Sequence, residues 1–256
     1  MAGELADKVI FLTGGAQGIG RECALAYARE GAYVVVADIQ LEEAERTVAE
    51  LPGQRGLAVE CDVSNGPSVE NAIKTALKLF GSLNAIHNNA GISSPTKPVH
   101  ETSENEWDRL QAVNLKSLYL TTYFGFEALK ASHGCILNTA SMVGLIGQSA
   151  HAAYVASKGA IIALTKAMAL DYAIYGIRVN AICPAGVWTP LLRQWVAEQP
   201  DPSVMEQYLD GIHALGYCPQ GDVIADVAVF LISDRARFMT GSIVPVSGGA
   251  ELGYRR

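Results

Sequence analysis

Positive charge is scarce in this chain: 19 Lys and Arg stand against 26 Asp and Glu, for a net charge of −7. Phosphate backbones bind to basic surfaces, so nucleic acid is not expected as a partner. No run approaches the ~20 apolar residues of a membrane span. Met1-Ala2-Gly3-Glu4-Leu5 has neither the basic nor the apolar region of a signal sequence. A cytoplasmic protein away from the membrane is expected. The cysteines, Cys23, Cys61, Cys135, Cys183 and Cys218, are odd in number and lack metal-ligand spacing, so neither a disulfide framework nor a metal site is expected. Three lie in or at the ends of apolar runs and read as small buried hydrophobes. No linker, repeat or low-complexity tract divides the 256 residues, of which 50% are hydrophobic. A chain of that size can bury a large core, and it reads as a single domain.

What is present is an alternation of strands and helices. Short apolar runs at Lys8–Leu12, Tyr33–Ala37, Leu57–Cys61, Leu83–His87, Cys135–Thr139, Arg178–Ile182 and Ile243–Val246 read as buried strands. Helical stretches fall near residues 18–30, 41–51, 66–80, 104–131, 152–175 and 222–234. Such alternation predicts parallel strands joined by right-handed crossovers, with helices on both faces. The fold class is therefore α/β, a doubly wound Rossmann-type sheet of about seven strands. In such sheets ligands bind outside the carboxyl ends of the strands.

The first strand runs directly into Thr13-Gly14-Gly15-Ala16-Gln17-Gly18-Ile19-Gly20. A strand, a glycine turn and a helix N-terminus offer unpaired backbone N–H groups and a positive dipole end to a pyrophosphate. Glycine is needed because a side chain would hold the phosphate off the backbone. The second strand ends at Asp38. A carboxylate there can accept hydrogen bonds from the adenosine ribose and would repel a 2′-phosphate. No Arg or Lys in the turn or next to Asp38 is placed to receive that phosphate, so NAD is favoured over NADP.

Tyr154 and Lys158 lie four positions apart on a predicted helix, with Ser141 thirteen positions upstream. A phenol titrates near pH ~10 in water, and an ammonium one helical turn away is the simplest way to lower that value. The trio reads as a proton-transfer device.

Together these residues resemble one family closely over nearly the whole chain: the single-domain, NAD(P)-dependent short-chain dehydrogenases and reductases. Residues 13–20 match its Thr-Gly-x-x-x-Gly-x-Gly, and Ser141, Tyr154 and Lys158 match three catalytic residues at the family's spacing. The resemblance implies further assignments. Asp62 and Val63 would contact adenine, and Asn88-Asn89-Ala90-Gly91 would be the sheet-stabilising turn. Asn114 would be a fourth catalytic residue, its backbone bending the helix and holding a water in a proton relay from Lys158. Tyr154 as phenolate would take the hydroxyl proton of a secondary alcohol, Ser141 would hydrogen-bond the substrate oxygen, and Lys158 would hold the nicotinamide ribose. A homotetramer is also implied.

Departures from the family pattern concentrate near the substrate. Pro184 is followed by Ala185 before Gly186, while Val187 and Thr189 keep positions that meet the carboxamide and pyrophosphate in the family. Trp188 between them is unusually bulky, and Ser247 replaces a common aspartate. Residues 190–220 are the least regular segment. Leu191, Leu192, Trp195 and Val196 recur at helical spacing there, followed by a second short helix near Val204–Leu209. The segment reads either as a lid that orders on binding or as a docked surface helix. Ser93, Gln148 and His151 add polar groups beside Met142 and Val143, which fits a hydroxyl-rich ligand such as a sugar or sugar-derived acid. Arg255 and Arg256 are either a solvated tail or a carboxylate clamp reaching a neighbouring subunit. Two other readings stay open: an NADPH-dependent reductase of the ketoacyl or steroid type, and a catalytically silent NAD-binding regulator.

Overall fold

Apolar runs without alternation can be buried only where both faces of a sheet are covered. The computed structural model, which describes residues 3–253, puts them there. The strands are β1 (Val9–Thr13), β2 (Tyr33–Asp38), β3 (Gly56–Glu60), β4 (Ala85–Asn88), β5 (Cys135–Thr139), β6 (Arg178–Pro184) and β7 (Ile243–Val246). They form one seven-stranded sheet in the order β3-β2-β1-β4-β5-β6-β7. Every pairing in it is parallel. After β1 the chain builds outward to β3, then returns to β4 on the other side. That reversal opens a crevice at the carboxyl ends of β1 and β4, the ligand position of doubly wound sheets.

The helices are α1 (Gly18–Arg29), α2 (Leu41–Ala49), α3 (Gly66–Phe80), α4 (Glu104–Gln111), α5 (Ser117–Ser132), α6 (Val143–Ile146), α7 (Ala152–Tyr172), α8 (Pro190–Ala197), α9 (Pro202–Ile212) and α10 (Asp222–Ile232). The strand period of two divides them between the faces. Ile10 and Leu12 of β1 point into a core shared with α1 and α10. Val9 and Phe11 point into the opposite core, built with α3 and α5. Phe11 and Leu12 are fully buried, each contributing about 1.5–3 kcal/mol of transfer free energy. All five cysteines are buried and free, as small hydrophobes.

Three expectations need correction. The helix read across 104–131 is interrupted: α4 ends at Gln111, a π-turn spans Ala112–Lys116, and α5 starts at Ser117. Periodicity cannot register one wide turn inside an otherwise continuous apolar pattern. Second, α7 with its terminal 3-10 turn, Ala152–Tyr175, is 24 residues long and apolar enough by length and composition to cross a membrane. It is not an unbroken apolar run, because Tyr154, Ser157 and Lys158 interrupt it. It is a layer helix of this domain, burying Ile161, Ile162, Met168 and Ala169. Third, the second helix of the 190–220 segment is longer than read, because Asp201 caps it: its carboxylate accepts from the Ser203 and Val204 N–H groups at 3.1 and 3.2 Å.

Candidate active site

The glycine turn is shaped by close approach. A Cβ on Gly20 would lie 2.0 Å from the Gly14 carbonyl oxygen, and one on Gly14, whose φ is +65°, would lie 2.8 Å from Ala90 Cα. Only hydrogen fits at either position. Gln17 enters α1 in extended conformation and makes no side-chain cap, and no acidic residue stands in the first turn. The first N–H groups of a 12-residue helix thus keep their hydrogen-bonding capacity and their dipole for an anion. Thr189 borders the cradle: its methyl would meet a Cβ on Gly18 at 3.2 Å, while its hydroxyl caps α8 at Leu192 N, 3.2 Å away. This geometry fits a dinucleotide pyrophosphate.

Asp38 stands at the tip of β2 beside that turn. Its Oδ2 accepts from Ala16 N and its Oδ1 from Gln40 N, both at 3.0 Å. The carboxylate is thereby oriented, and each oxygen retains a lone pair for a ribose hydroxyl. Asp62 is held similarly, accepting from Ser64 N at 2.9 Å and Ser64 Oγ at 2.7 Å, with Val63 buried next to it. Asn89 donates from Nδ2 to the Gly14 carbonyl at 3.0 Å, and Thr13 Oγ1 accepts from Asn89 N and Ala90 N at 3.0 and 3.1 Å. These bonds join the ends of β1 and β4 across the crevice. Val187 is buried.

Ser141 follows β5, and the first turns of α7 present Tyr154 and Lys158. Ser141 is buried and Lys158 is 4% exposed. The Lys158 ammonium lies 5.6 Å from the centre of the Tyr154 ring and donates to the Thr139 carbonyl at 2.8 Å. Burial lowers Lys158 from its ordinary 10.5 to about 8. Burial raises the Tyr154 hydroxyl, and hydrogen bonding to Ser141 pulls it back down. The sequence reading assigned that lowering to Lys158. In the fold Ser141 also opposes the rise, through its hydrogen bond, while the Lys158 ammonium stands 5.6 Å from the ring and donates to a main-chain carbonyl.

Asn114 lies inside the π-turn, fully buried. Its Oδ1 accepts from Ile92 N at 2.8 Å, and its Nδ2 donates to Ile92 O at 2.9 Å and Ser157 Oγ at 3.1 Å. A helix-interior amide pointing to solvent is therefore excluded. Gly91 completes the grouping: a Cβ there would sit 3.3 Å from Asn114 Oδ1 and 3.5 Å from Lys158 Nζ.

The residues assigned to substrate are less tightly gathered. Ser93 is half-buried, Gln148 is exposed, and His151 Nδ1 lies 2.8 Å from the Ser149 carbonyl. Gln148 and His151 ride on a loop whose Ala150 adopts φ +54°, a left-handed conformation that strains a residue with a side chain. Trp188 packs in a small apolar cluster with Val196, Leu209 and Cys218, under the Arg193 guanidinium at 5.0 Å. The ring also borders a depression of about 250 Å³ with Arg193 and Glu206. The α8–α9 hairpin carries its own apolar cluster, and just before it Trp188 N donates to Pro219 O at 2.8 Å. Arg255 and Arg256 lie outside the described residues. A depression of about 490 Å³ bordered by Arg29, Asp222 and Arg235 holds none of the predicted residues. Sequence reasoning missed His87, Tyr27 and Thr139, which form a buried polar chain behind the cradle. The available signal was an imidazole within the apolar run Ala85-Ile86-His87.

A family model described as enoyl-(acyl carrier protein) reductase matches residues 14–251. L-fucose dehydrogenase of Bos taurus is 40% identical over 256 residues, covering 100% of this chain and 94% of its own. The chain belongs to the short-chain dehydrogenase/reductase family. Cyclopentanol dehydrogenase of a Comamonas species is another 40% identical relative, over 96% of this chain and 98% of its own. Among solved structures, 3-ketoacyl-(acyl-carrier-protein) reductase from Brucella melitensis complexed with NADH superposes with a TM-score of 0.89 at 32% identity, over 96% of this chain and 99% of that one. This short-chain dehydrogenase/reductase is an oxidoreductase, and its dehydrogenase relatives include enzymes named for a sugar and for a secondary alcohol.

Proposed function

We propose that the chain is an NAD-dependent dehydrogenase that oxidises a secondary alcohol of a small polar substrate, foremost a sugar or sugar-derived acid, or reduces the matching ketone. One observation carries this reading: Ser141, Tyr154 and Lys158 gather at the carboxyl end of the sheet, beside an uncapped helix and a turn in which only glycine fits. Bound in that cradle, a nicotinamide dinucleotide supplies the hydride acceptor. Gly14, Gln17, Gly18, Ile19 and Gly20 would hold its pyrophosphate through the turn and the first N–H groups of α1. Asp38 would hold the adenosine ribose, Asp62 and Val63 the adenine, and Val187, Thr189, Asn89, Ala90 and Gly91 the nicotinamide side of the crevice. The chain's own chemistry is proton transfer. Tyr154 Oη accepts the alcohol proton, Ser141 Oγ steadies the charge developing on the substrate oxygen, and Lys158 holds positive charge behind the phenol. Asn114 fixes the segment around Ile92 and Ser157 that backs Lys158.

The sugar preference is supported by the polar Ser93, Gln148 and His151 and by the kinship with L-fucose dehydrogenase. Screening hydroxylated metabolites for NAD reduction at alkaline pH tests it. Sugars and aldonic acids should be turned over faster than cyclopentanol. A cyclic alcohol preferred over every sugar would overturn the substrate class and leave the chemistry standing.

Coenzyme choice is expected to rest on Asp38. Wild-type kcat/KM with NAD should exceed that with NADP by about 100-fold. Asp38→Ser should raise the KM for NAD by about 10- to 100-fold, the worth of hydrogen bonds to a charged acceptor. Equal use of both coenzymes by the wild type would instead favour the NADPH reductase reading.

Assembly as a homotetramer is supported by apolar side chains on the outer surface: Tyr119 and Tyr123 on α5, and Leu170 on α7 with Ile174 just beyond it, are 56–80% exposed. Sedimentation equilibrium should give four times the chain mass, and Tyr123→Glu with Leu170→Glu should give a smaller species. A monomeric wild type rejects the assembly.

A further inference from the structure

His87 is a fully buried imidazole in the middle of the sheet, paired in register with Leu12 on one side and Leu137 on the other. The proton transfer proposed above does not use it. Its Nδ1 lies 2.8 Å from the Tyr27 hydroxyl of α1, and its Nε2 lies 2.9 Å from Thr139 Oγ1 at the end of β5. The direction of this chain follows from proton counting. Asn89 Nδ2 donates to the Thr13 and Gly14 carbonyls at 3.2 and 3.0 Å, so the Asn89 Oδ1 is an acceptor. Thr139 Oγ1 donates to that oxygen at 3.4 Å. A hydroxyl carries one proton, so a Thr139 that gives it to Asn89 accepts from His87 Nε2–H.

Burial holds the ring neutral by pushing its pKa down to about 3. Nδ1 is then bare and accepts the Tyr27 proton, which burial keeps firmly on the phenol. The bonds run one way, from Tyr27 through His87, Thr139 and Asn89 to the carbonyl of Gly14. The main-chain carbonyl of the same Thr139 receives the Lys158 ammonium at 2.8 Å. One imidazole thus braces two places at once: the turn where only glycine fits, and the residue on which Lys158 is anchored. An apolar side chain would fill the same space and orient neither.

We infer that His87, fixed as its Nε2–H tautomer between Tyr27 and Thr139, is a positioning residue that sets the dinucleotide cradle through Thr139 and Asn89. The inference rests on the dinucleotide reading above and extends it to a residue that would touch no ligand.

Two measurements separate its failure from failure of that reading. In the wild type, nitrogen-15 shifts should show a bare Nδ1 and a protonated Nε2 for His87, unchanged from about pH 8 to about pH 5. A protonated Nδ1, or a ring that titrates in that range, overturns the inference whatever the enzyme does. In the second, NADH binding is followed by fluorescence titration. His87→Val should bind NADH about tenfold more weakly. His87→Gln, whose amide N–H can still reach Thr139, should recover most of that loss even though both variants melt lower. Wild-type affinity in His87→Val makes His87 a core filler only. If His87→Val fails to fold, His87→Gln decides against Tyr27→Phe: glutamine near wild type and phenylalanine weaker by a few-fold support the chain, and the reverse order rejects it. No NADH binding by the wild type rejects the cradle itself, while the tautomer measurement still stands.

Discussion

Tyr154→Phe should lower kcat by about 1,000-fold, in the middle of the range for a general acid–base group, while NADH binds with unchanged affinity. The variant removes a single oxygen. That oxygen is the proton acceptor in the proposed reaction, and its interaction with Ser141 is what opposes the upward push of burial. Without it the ring still fills its place, and Lys158 keeps its bond to the Thr139 carbonyl. The loss should therefore appear in kcat with little change in melting temperature or coenzyme affinity, the pattern of an interaction made in the transition state alone. Ser141→Ala should fall short of the same loss, because it removes a supporting hydrogen bond and leaves the phenol. Turnover near wild type in a folded, NADH-binding Tyr154→Phe protein would remove the mechanism.

Lys158→Met should have opposite effects on activity and stability. Activity should fall about 1,000-fold or more as the charge behind the phenol is lost. Stability should rise by about 1–2 kcal/mol near neutral pH. Lys158 is 4% exposed, and burial lowers it from 10.5 to about 8. A gap of that size corresponds to about 3 kcal/mol held against the charged fold, and the Thr139 carbonyl left without its donor in the variant takes back roughly 1 kcal/mol. The sign follows from proton affinity: the unfolded lysine binds its proton more tightly than the folded one. Below about pH 8 both states are protonated and the fold carries the whole penalty. Between about 8 and 10.5 the folded lysine gives up its proton first, and the penalty fades.

Urea melts of both proteins across that range should show the advantage of Lys158→Met shrinking with pH. The wild type alone would not reveal it. Burial raises the thiols of Cys23, Cys61, Cys183 and Cys218 from 9.0 to about 11 or 12, so stability falls as pH rises above 9 for an independent reason. Cys23, Cys61 and Cys218 are common to both proteins and cancel in the difference, whereas Cys183 loses the lowering influence of the Lys158 charge in the variant, which steepens the same trend. A variant less stable than the wild type at neutral pH would show that the buried ammonium is a net stabiliser.

Both predictions concern residues that could be read from spacing alone, and the reason is local. Tyr154 and Lys158 share a helix face whatever surrounds them, because four residues make about one turn. The glycine turn is legible for a similar reason: backbone close approach excludes side chains, and that exclusion leaves its mark at each position. Residues whose partners are far along the chain left no such mark. His87 joins Tyr27, 60 positions away, to Thr139, 52 positions away. Asn114 reaches Ile92 and Ser157 over 22 and 43 positions. The resemblance to a family drew attention to Asn114 and not to His87, and neither set of partners follows from hydropathy. Trp188 is a further case. Its bulk was legible in the sequence, but its neighbours, the apolar side chains of the α8–α9 hairpin, were not.

By itself the sequence determined the alternation of strand and helix, the parallel sheet, the glycine turn ending at α1, the acid at the tip of β2, and the face shared by Tyr154 and Lys158. Each is set by hydrophobic period, backbone sterics or helical spacing, which act over a few residues. Only the tertiary structure decided that Ser141 tempers the phenol, that Lys158 is turned to Thr139, that a π-turn carries Asn114, and that Tyr27, His87 and Thr139 stand in line behind the cradle. Desolvation and long-range hydrogen bonds govern those features, and both come into being when distant segments close around a polar group.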